Sequence, residues 1–251
     1  MISRASRLLT AFARADDKLD WLADKAAWRS FWARLPREQE ANRAFDRRHG
    51  TDTAEEIDLT ETGVPSDQAR QGNGVYRPLW EGAFHQALQA VGVGFDGYSF
   101  VDLGCGKGKL LMLAAAYPFT RIVGVDYSPG LQAIAQRNLE RFQSPAQKCH
   151  RLEAVLGDAR RQRLPAGPVV ALIFNAFDAG TTREVMHVID DEARREEPVF
   201  VLYVNVRRLA EAGDGFAGLG ALSRVHASRR LLVLANAPGR LARKKRGPFR
   251  T

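Results

Sequence analysis

The sequence contains few residues of the kinds that bind metals or crosslink chains. Two cysteines, Cys105 and Cys149, are too few for a disulfide framework or a four-thiolate zinc site. We expect both to be reduced thiols in a cytoplasmic protein. The five histidines have no spacing typical of a metal site, so we predict no metal centre.

Long apolar runs are also missing. The longest, from Leu110 to Phe119, is too short for a bilayer core and contains Pro118. The first residues, MISRASRLLTAFARADD, have no long apolar centre and no small-residue cleavage pattern, which disfavours a secretory signal. At 251 residues, 45% hydrophobic and 26% charged, the chain has the composition of one folded domain with a small appendage, and we expect no membrane partner.

Acidic residues are absent from the C-terminal end. Residues 240–251 hold six Lys or Arg and no acid, residues 1–50 have a net charge of +4, and the whole chain has a formal net charge of +8. Because the body between these ends is close to neutral, no fold-wide nucleic-acid surface is expected. We predict that 240–251 is a disordered basic tail, which either only solubilises the protein or contacts the phosphates of a nucleic acid.

Helical and strand patterns divide the remaining chain into three parts. Apolar residues mixed with charges predict an N-terminal helical extension over 1–48, acting as a cap or a lid, and a polar stretch predicts a connector over 49–75. Strand-like runs alternate with helical patterns over 76–239. The runs lie at Ser99–Leu103, Arg121–Val125, Leu152–Leu156, Val169–Phe174 and Val199–Val204, with Leu222–His226 and Leu231–Leu234 as an antiparallel pair at the sheet edge.

Three helices of this region have recognisable starts. An apolar stripe predicts a helix over 76–91. Ser128 followed by Pro129 is typical of a capped helix start, and Thr181 with Glu184 predicts a capping box. The alternation predicts an α/β fold with a doubly wound, mostly parallel, seven-stranded sheet.

A glycine-rich turn follows the first strand of this sheet. Three glycines alternate with other residues before the next helix, in the order Gly104, Cys105, Gly106, Lys107, Gly108, Lys109. Glycines allow a tight turn and let a ligand approach the backbone, and free amides at a helix start favour a carboxylate. The turn lacks the Gly-Lys-Ser/Thr end of a phosphate-binding loop.

Polar residues end the next three strands at the same edge of the sheet. Asp126 lies about twenty residues past the glycines, where a carboxylate accepts hydrogen bonds from ribose hydroxyls. Asp158 can accept from an adenine amine, and Asn175 ends the fourth strand. Any one of these acids alone is as well explained by a cap or a turn; their combination favours a nucleoside site.

Four segments resemble motifs of the class I S-adenosylmethionine-dependent methyltransferases. They are 101–108, 123–128, 157–159 and 174–177, within a resemblance that covers about residues 76–236. The resemblance implies S-adenosyl-L-methionine as the cofactor and a Rossmann-like fold. It implies as cofactor-binding residues Asp102, Gly104, Cys105, Gly106, Gly108, Asp126, Tyr127, Ser128, Gly157, Asp158, Ala159 and Asn175.

A narrower resemblance involves the residues before the glycines. The sequence FDRRHGTDT at 45–53, followed by Tyr76-Arg77-Pro78, is similar to bacterial methyltransferases of unassigned substrate. A Tyr-x-Pro helix start and the Asn after the fourth strand are also similar to the non-SET histone lysine methyltransferases. Many amino-group methyltransferases have two prolines after that Asn. Because this sequence lacks them, the resemblance does not support assigning to it the nucleobase or glutamine specificity of those enzymes.

We predict Asn175 and Tyr76 as catalytic residues. Asn175 would orient an amine through its side-chain oxygen, and Tyr76 with Phe177 would wall the methyl group from water. The methyl acceptor is unidentified, with an amine nitrogen of a protein or an RNA as the candidate. Two other functions stay open: an NAD(P)-dependent oxidoreductase, which the spacing of the glycines disfavours, and a non-catalytic nucleotide- or RNA-binding protein.

Overall fold

The computed structural model describes residues 36–65, 74–204, 216, 218–228 and 230–246. The chain divides into two units, Met1–Ala41 and Asn42–Thr251, whereas the sequence pattern predicted an extension to residue 48. Of the first unit, residues 36–41 are described and are helical. The remainder of the predicted helical extension, 1–35, lies outside the described residues.

The second unit begins with secondary structure in the region predicted as a connector. Residues 42–49 are helical (α1), and two short strands, β1 (Ile57–Asp58) and β2 (Val75–Tyr76), pair antiparallel. A 3₁₀ turn at Leu59–Thr62 follows β1, with the Asp58 side chain accepting a hydrogen bond from the Thr60 amide. The part of the connector that is described is therefore ordered into small elements, and Leu59 and Val64 in it pack with Leu131.

A seven-stranded sheet forms the centre of this unit. Its strands are β3 (Ser99–Leu103), β4 (Arg121–Asp126), β5 (Leu152–Leu156), β6 (Val169–Phe174), β7 (Val199–Val204), β8 (Ser223–Ala227) and β9 (Leu231–Ala235). The spatial order is β5-β4-β3-β6-β7-β9-β8; β3 to β7 are parallel, and β9 is antiparallel to both β7 and β8. This order confirms the predicted doubly wound, mostly parallel sheet. The chain reverses direction across the sheet between β3 and β6, where a ligand crevice is expected at the carboxyl ends of the strands.

Helices cover the sheet. They are α2 (Glu81–Val91), α3 (Lys109–Ala114), α4 (Pro129–Arg141), α5 (Ala179–Glu192) and α6 (Ala237–Arg246). Ser128 caps α4, its hydroxyl accepting from the Leu131 amide, with Pro129 at the first helical position as the sequence predicts. No helix in the described ranges is both long and apolar enough to span a membrane.

Two predicted helix starts are wrong. The stripe over 76–91 begins its helix only at Glu81, because Pro78 disfavours helical backbone at the residue before it. Tyr76 belongs to β2 instead. The N-cap of α5 is Asp178, whose carboxylate accepts from the Thr181 amide at 2.7 Å, so the predicted capping box at Thr181 does not form.

The predicted disordered tail is also wrong over its first half. Residues 237–246 form α6, and Asn236 begins it by accepting from the Gly239 amide at 2.9 Å. The guanidinium of Arg240 donates to the Ser223 hydroxyl, and that of Arg243 donates to the carbonyl of Ala90. These hydrogen bonds fix the position of the helix, although the composition of this segment alone suggests a disordered tail. Residues 247–251 lie outside the described residues.

Two apolar layers lie on the two faces of the sheet. Phe84 of α2, Phe100 and Phe200 are fully buried on one face, and Ile173 and Met186 of α5 on the other. Successive residues of β3, β6 and β7 alternate between these layers, as expected for parallel strands covered on both sides. The core therefore fixes the central strands, and their carboxyl ends position the site.

Candidate functional site

A cavity of about 510 Å³ opens at the carboxyl edge of the sheet. Its volume lies in the range of small-molecule and cofactor sites. The predicted site residues that line it are Tyr76, Asp102, Gly104, Cys105, Gly106, Asp126, Tyr127, Gly157, Asp158, Ala159 and Asn175. These predicted residues thus lie around one cavity, and their roles there stay predictions.

The first two glycines of the loop have no room for a side chain. Gly104 and Gly106 have φ angles of 86° and 54°, in the left-handed region that glycine tolerates. A Cβ on Gly104 would lie 2.2 Å from that of Ala176, and a Cβ on Gly106 would lie 2.4 Å from the ring of Tyr76. The loop is therefore packed tightly between β2 and the turn after β6.

Gly108 and Ser128 do not line the cavity, so the direct cofactor contacts predicted for them do not match their positions. Gly108 is the N-cap of α3 with a φ of 80°, and a Cβ there would lie 3.1 Å from that of Ala135 in α4. Ser128 is buried, and its hydroxyl donates to that of Thr62 at 2.7 Å. Both residues hold the walls of the cavity together from outside.

Asp126 ties the glycine loop to the end of β4. Its Oδ2 accepts from the Gly106 amide at 2.8 Å, and its Oδ1 accepts from the Ser128 amide at 2.9 Å. Burial raises the pKa of Asp126, and these backbone hydrogen bonds act in the opposite direction. A carboxylate has about four lone-pair sites, so Asp126 can still accept from a ligand hydroxyl in the cavity.

Asp102 is the least satisfied charged group of the site. It is 1% exposed, and its Oδ2 has no hydrogen-bond partner among the described residues. Burial, and then the charge of Asp126, raise the pKa of Asp102 to about 8. A buried carboxylate without a partner is costly, and this one borders the cavity. Burial also raises the pKa of the Cys105 thiol, which argues against a nucleophilic role for it.

Asp158 is paired with the guanidinium of Arg160, which is not among the predicted site residues. The guanidinium of Arg160 lies 2.7 Å from its Oδ2, and Arg160 also reaches Glu184 of α5 at 3.3 Å. The side-chain hydrogen bond from Arg160 lowers the pKa of Asp158. The predicted adenine acceptor is therefore an ionised carboxylate that shares its oxygens with Arg160. Gly157 and Ala159 line the cavity beside it.

The turn after β6 holds Asn175 in an unusual backbone conformation. Its φ is 50°, and it is the one non-glycine residue with a positive φ in the described part of the chain. Asn tolerates this region better than most residues, and Asn175 lines the cavity. Tyr127, after β4, also lines it, with a buried hydroxyl that lacks a partner among the described residues; burial raises its pKa to about 12.

Tyr76 packs on the glycine loop. Its ring fills the space above Gly106, and its hydroxyl donates to the Thr53 carbonyl at 3.0 Å. Burial raises its pKa well above the ordinary value. A neutral phenol that bonds to the backbone shapes the wall of the cavity, and it does not act there as a base.

Other cavity residues were missed by sequence reasoning. They are Leu59, Val75, Arg77, Pro78, Leu79, Lys109, Leu110, Leu131 and Arg160, among others. Leu59 and Val75 lie at the cavity because β1 and β2 pair. Strands of two residues have no recognisable sequence pattern, so this pairing could not be predicted. Arg160 had a local signal, since it stands two residues after Asp158 in a turn.

Both lysines of the glycine loop have partners within the protein. Lys107 pairs with Asp52 at 2.8 Å, and Lys109 donates to the side-chain oxygen of Asn42. No cluster of three His, Cys, Asp or Glu side chains able to hold a metal ion occurs within the described ranges.

Known proteins resemble this chain over part of its length. Residues 100–196 match a family model described as a methyltransferase domain. The rRNA N(6)-adenosine-methyltransferase metl-5 of Caenorhabditis elegans is 33% identical over 84 residues, which are 33% of this chain and 38% of that protein. The chain thus aligns with little more than a third of the relative's length.

Solved structures with a similar fold include two that differ in chemistry. A precorrin 8w decarboxylase from Methanobacterium thermoautotrophicum has a TM-score of 0.46 at 16% identity, covering 69% of this chain and 99% of that one. An S-adenosylmethionine-dependent methyltransferase from Thiobacillus denitrificans has a TM-score of 0.41 at 17% identity, covering 58% of each chain. The match to the methyltransferase-domain model spans the part of the chain from β3 to the residues that follow α5.

Proposed function

We propose that this protein transfers a methyl group from S-adenosyl-L-methionine to an amine nitrogen of an acceptor molecule. The observation that carries the proposal is the buried carboxyl group of Asp102, whose Oδ2 has no hydrogen-bond partner in the described part of the chain, beside a cavity of about 510 Å³. A cationic ligand in that cavity would supply the missing partner. The family match of residues 100–196 supports the same reaction.

The charges of the site fit this cofactor. S-adenosylmethionine carries a positive sulfonium and a positive ammonium, and the glycine loop is bordered by the carboxyl groups of Asp102 and Asp126. NAD instead carries a pyrophosphate, which would meet the same two acids. A pyrophosphate would further oppose the ionisation of these two buried carboxyl groups, whereas a cation favours it, so the acids beside the glycine loop disfavour the oxidoreductase alternative.

The residues that would hold the cofactor follow from their positions. Gly104 and Gly106 leave the backbone bare for close approach, and Asp102 would pair with a positive group. Asp126 would accept from ribose hydroxyls with the lone pairs that its two backbone bonds leave free. Asp158 and Arg160 would border the adenine from the end of β5.

The chemistry needs positioning more than acid–base groups. S-adenosylmethionine, when bound, supplies a methyl group on an already activated leaving group. The side-chain oxygen of Asn175 would accept a hydrogen bond from the attacking amine and direct its lone pair, and Phe177 would exclude water. Such positioning is worth about 7–11 kcal/mol in favourable cases.

The acceptor class is narrowed by two observations. The curated relative is named for methylating an adenosine amine of rRNA, and α6 with the residues after it concentrates six Lys and Arg between 240 and 251. Both favour RNA over protein as the acceptor. The cytoplasmic location expected from the two free cysteines stays a prediction.

The test is methyl transfer itself. The protein would be incubated with S-adenosylmethionine carrying a labelled methyl group and with separated RNA and protein fractions of a cell extract. We expect label in the RNA fraction, and Asn175→Ala should lower the rate by about a hundredfold or more while the demethylated product still binds. Label in the protein fraction alone would mean that the acceptor is a protein and not an RNA. No label in any fraction would count against methyltransferase activity.

A further inference from the structure

We propose that Asp46 is a positioning residue for the glycine loop, acting through Thr53 and Tyr76 on Gly106. The inference rests on the proposed function, because it concerns the shape of the cofactor cavity. It states that residues 46–54, which comprise the end of α1 and the loop after it, hold the glycine loop in position. The assignment follows from a continuous series of hydrogen bonds and ring contacts.

The first link is the carboxylate of Asp46. Its Oδ1 accepts from the hydroxyls of Thr51 and Thr53 at 2.7 and 2.8 Å. Its Oδ2 accepts from the amides of Thr53 and Ala54, both at 2.7 Å. Four donors on one carboxylate fold the segment into a single conformation, and Thr53 at its centre is fully buried. Hydrogen bonds to an ionised acceptor are stronger than neutral ones, so this arrangement is well fixed.

The second link runs from the segment to the loop. The Thr53 carbonyl, held in place by Asp46, accepts from the Tyr76 hydroxyl at 3.0 Å. The ring of Tyr76 occupies the space beside Gly106 where any Cβ would lie 2.4 Å away. The Gly106 amide in turn donates to Asp126 at the cavity. A shift of Thr53 is therefore transmitted to the loop through a rigid ring.

A parallel link fixes the next residue of the loop. Lys107 is buried, and its ammonium pairs with Asp52 at 2.8 Å and lies 5.4 Å from the centre of the Tyr76 ring. Asn138 of α4 donates to the carbonyls of Asp52 and Lys107 and accepts from the Asp52 amide. The segment thus neutralises the loop's own cation outside the cavity. Turned inward, that cation would compete with a positive ligand for Asp102 and Asp126.

The experiment compares matched variants of the full chain. Asp46→Asn removes the charge and part of the accepting capacity, and Tyr76→Phe removes only the hydroxyl while keeping the ring on Gly106. Glu55→Gln is the control, because it breaks the exposed pair with Arg43 in the same region and leaves the segment's own bonds intact. Calorimetry with S-adenosylhomocysteine gives the affinity, and circular dichroism checks that each variant is folded at the temperature used.

We expect Asp46→Asn and Tyr76→Phe each to weaken S-adenosylhomocysteine binding by about tenfold, and Glu55→Gln to leave it unchanged. The double variant should lose about as much as one single variant, since both act through the same series of contacts. A purely structural role would lower the melting temperature and leave the affinity of the folded protein unchanged.

The outcomes separate the two proposals. If the unaltered protein binds neither S-adenosylmethionine nor its demethylated product, the proposed function fails and this inference fails with it. If the unaltered protein binds and the folded variants bind equally well, only the role of Asp46 is overturned. Multiplicative losses in the double variant would also contradict it. Should Asp46→Asn not fold, Tyr76→Phe alone decides, because it removes one hydroxyl from a side chain that keeps its packing.

Discussion

The carboxyl group of Asp102 is almost completely buried. Its pKa is raised to about 8, by burial first and by Asp126 second, against an ordinary value near 4 in the unfolded chain. The folded protein therefore keeps a proton that the unfolded chain releases between those values. Stability from this group is full below pH 4, falls as the pH rises, and is lost above about pH 8.

This shift predicts that cofactor binding releases a proton. A positive ligand favours the ionised carboxylate, so below pH 8 binding must remove the proton from Asp102. We expect S-adenosylmethionine affinity to rise by up to about tenfold per pH unit between pH 6 and 8. Calorimetry at pH 7 in buffers of different ionisation enthalpy measures the proton count.

The matched variant is Asp102→Asn, which is nearly isosteric and cannot titrate. It should bind more weakly, with an affinity that no longer follows this pH dependence. The same pH slope in Asp102→Asn would assign the titration to another group, such as Asp126.

Among the elements, the glycine loop is the one most sensitive to packing. Gly104→Ala places a methyl group 2.2 Å from Ala176, and we expect it to destabilise the fold by about 1–3 kcal/mol and to abolish cofactor binding. Gly167→Ala is the control, because Gly167 has a φ of 81° and open space around its Cβ position. Chemical denaturation of both variants separates steric overlap from the cost of a positive φ. Equal losses of stability would mean that the contact with Ala176 contributes nothing.

The strands were more predictable than the helix starts. Apolar runs bounded by turns located β3, β6 and β7 to the residue, because burial on both faces leaves little choice of residue type. A helix start depends on which of several nearby side chains accepts hydrogen bonds from the free backbone amides of the first turn. At α5 the carboxylate of Asp178 does so instead of the Thr181 hydroxyl, three residues further on.

The site was predictable only where it follows a strand. Asp102, Asp126 and Asn175 lie at strand ends, so the sheet order brings them to one edge. Leu59, Val75 and Tyr76 also line the cavity, and they approach the glycine loop through contacts between residues far apart in the chain. Asp46 and Asn138 illustrate the gap, because nothing local in the sequence links them to Gly106 or Lys107.

Charge is divided across the whole molecule. Asp102 and Asp126 border the cavity beside the glycine loop, and bases concentrate at the C-terminal end. Arg240 and Arg243 hydrogen-bond to neighbouring elements, so neutralising them would also disturb α6. The triple change of Lys244, Lys245 and Arg246 to Gln therefore tests the charge of this end while keeping those two contacts.

If RNA is the acceptor, this triple variant should bind it more weakly, with a shallower dependence on salt. Each lost phosphate contact lowers the slope of log K against log salt by about 0.7 for single strands. Affinity for S-adenosylhomocysteine should stay the same and serves as the control for folding. An unchanged salt slope would mean that RNA, if bound, approaches elsewhere.

Titration of the unaltered protein with S-adenosylmethionine and, separately, with NAD shows which class of nucleotide the cavity binds. The two differ in charge, because S-adenosylmethionine carries a sulfonium and an ammonium, whereas NAD carries a pyrophosphate. We expect one equivalent of S-adenosylmethionine to bind, no detectable heat with NAD, and loss of binding in Asp102→Ala. Binding of NAD without binding of the sulfur nucleoside would contradict the account.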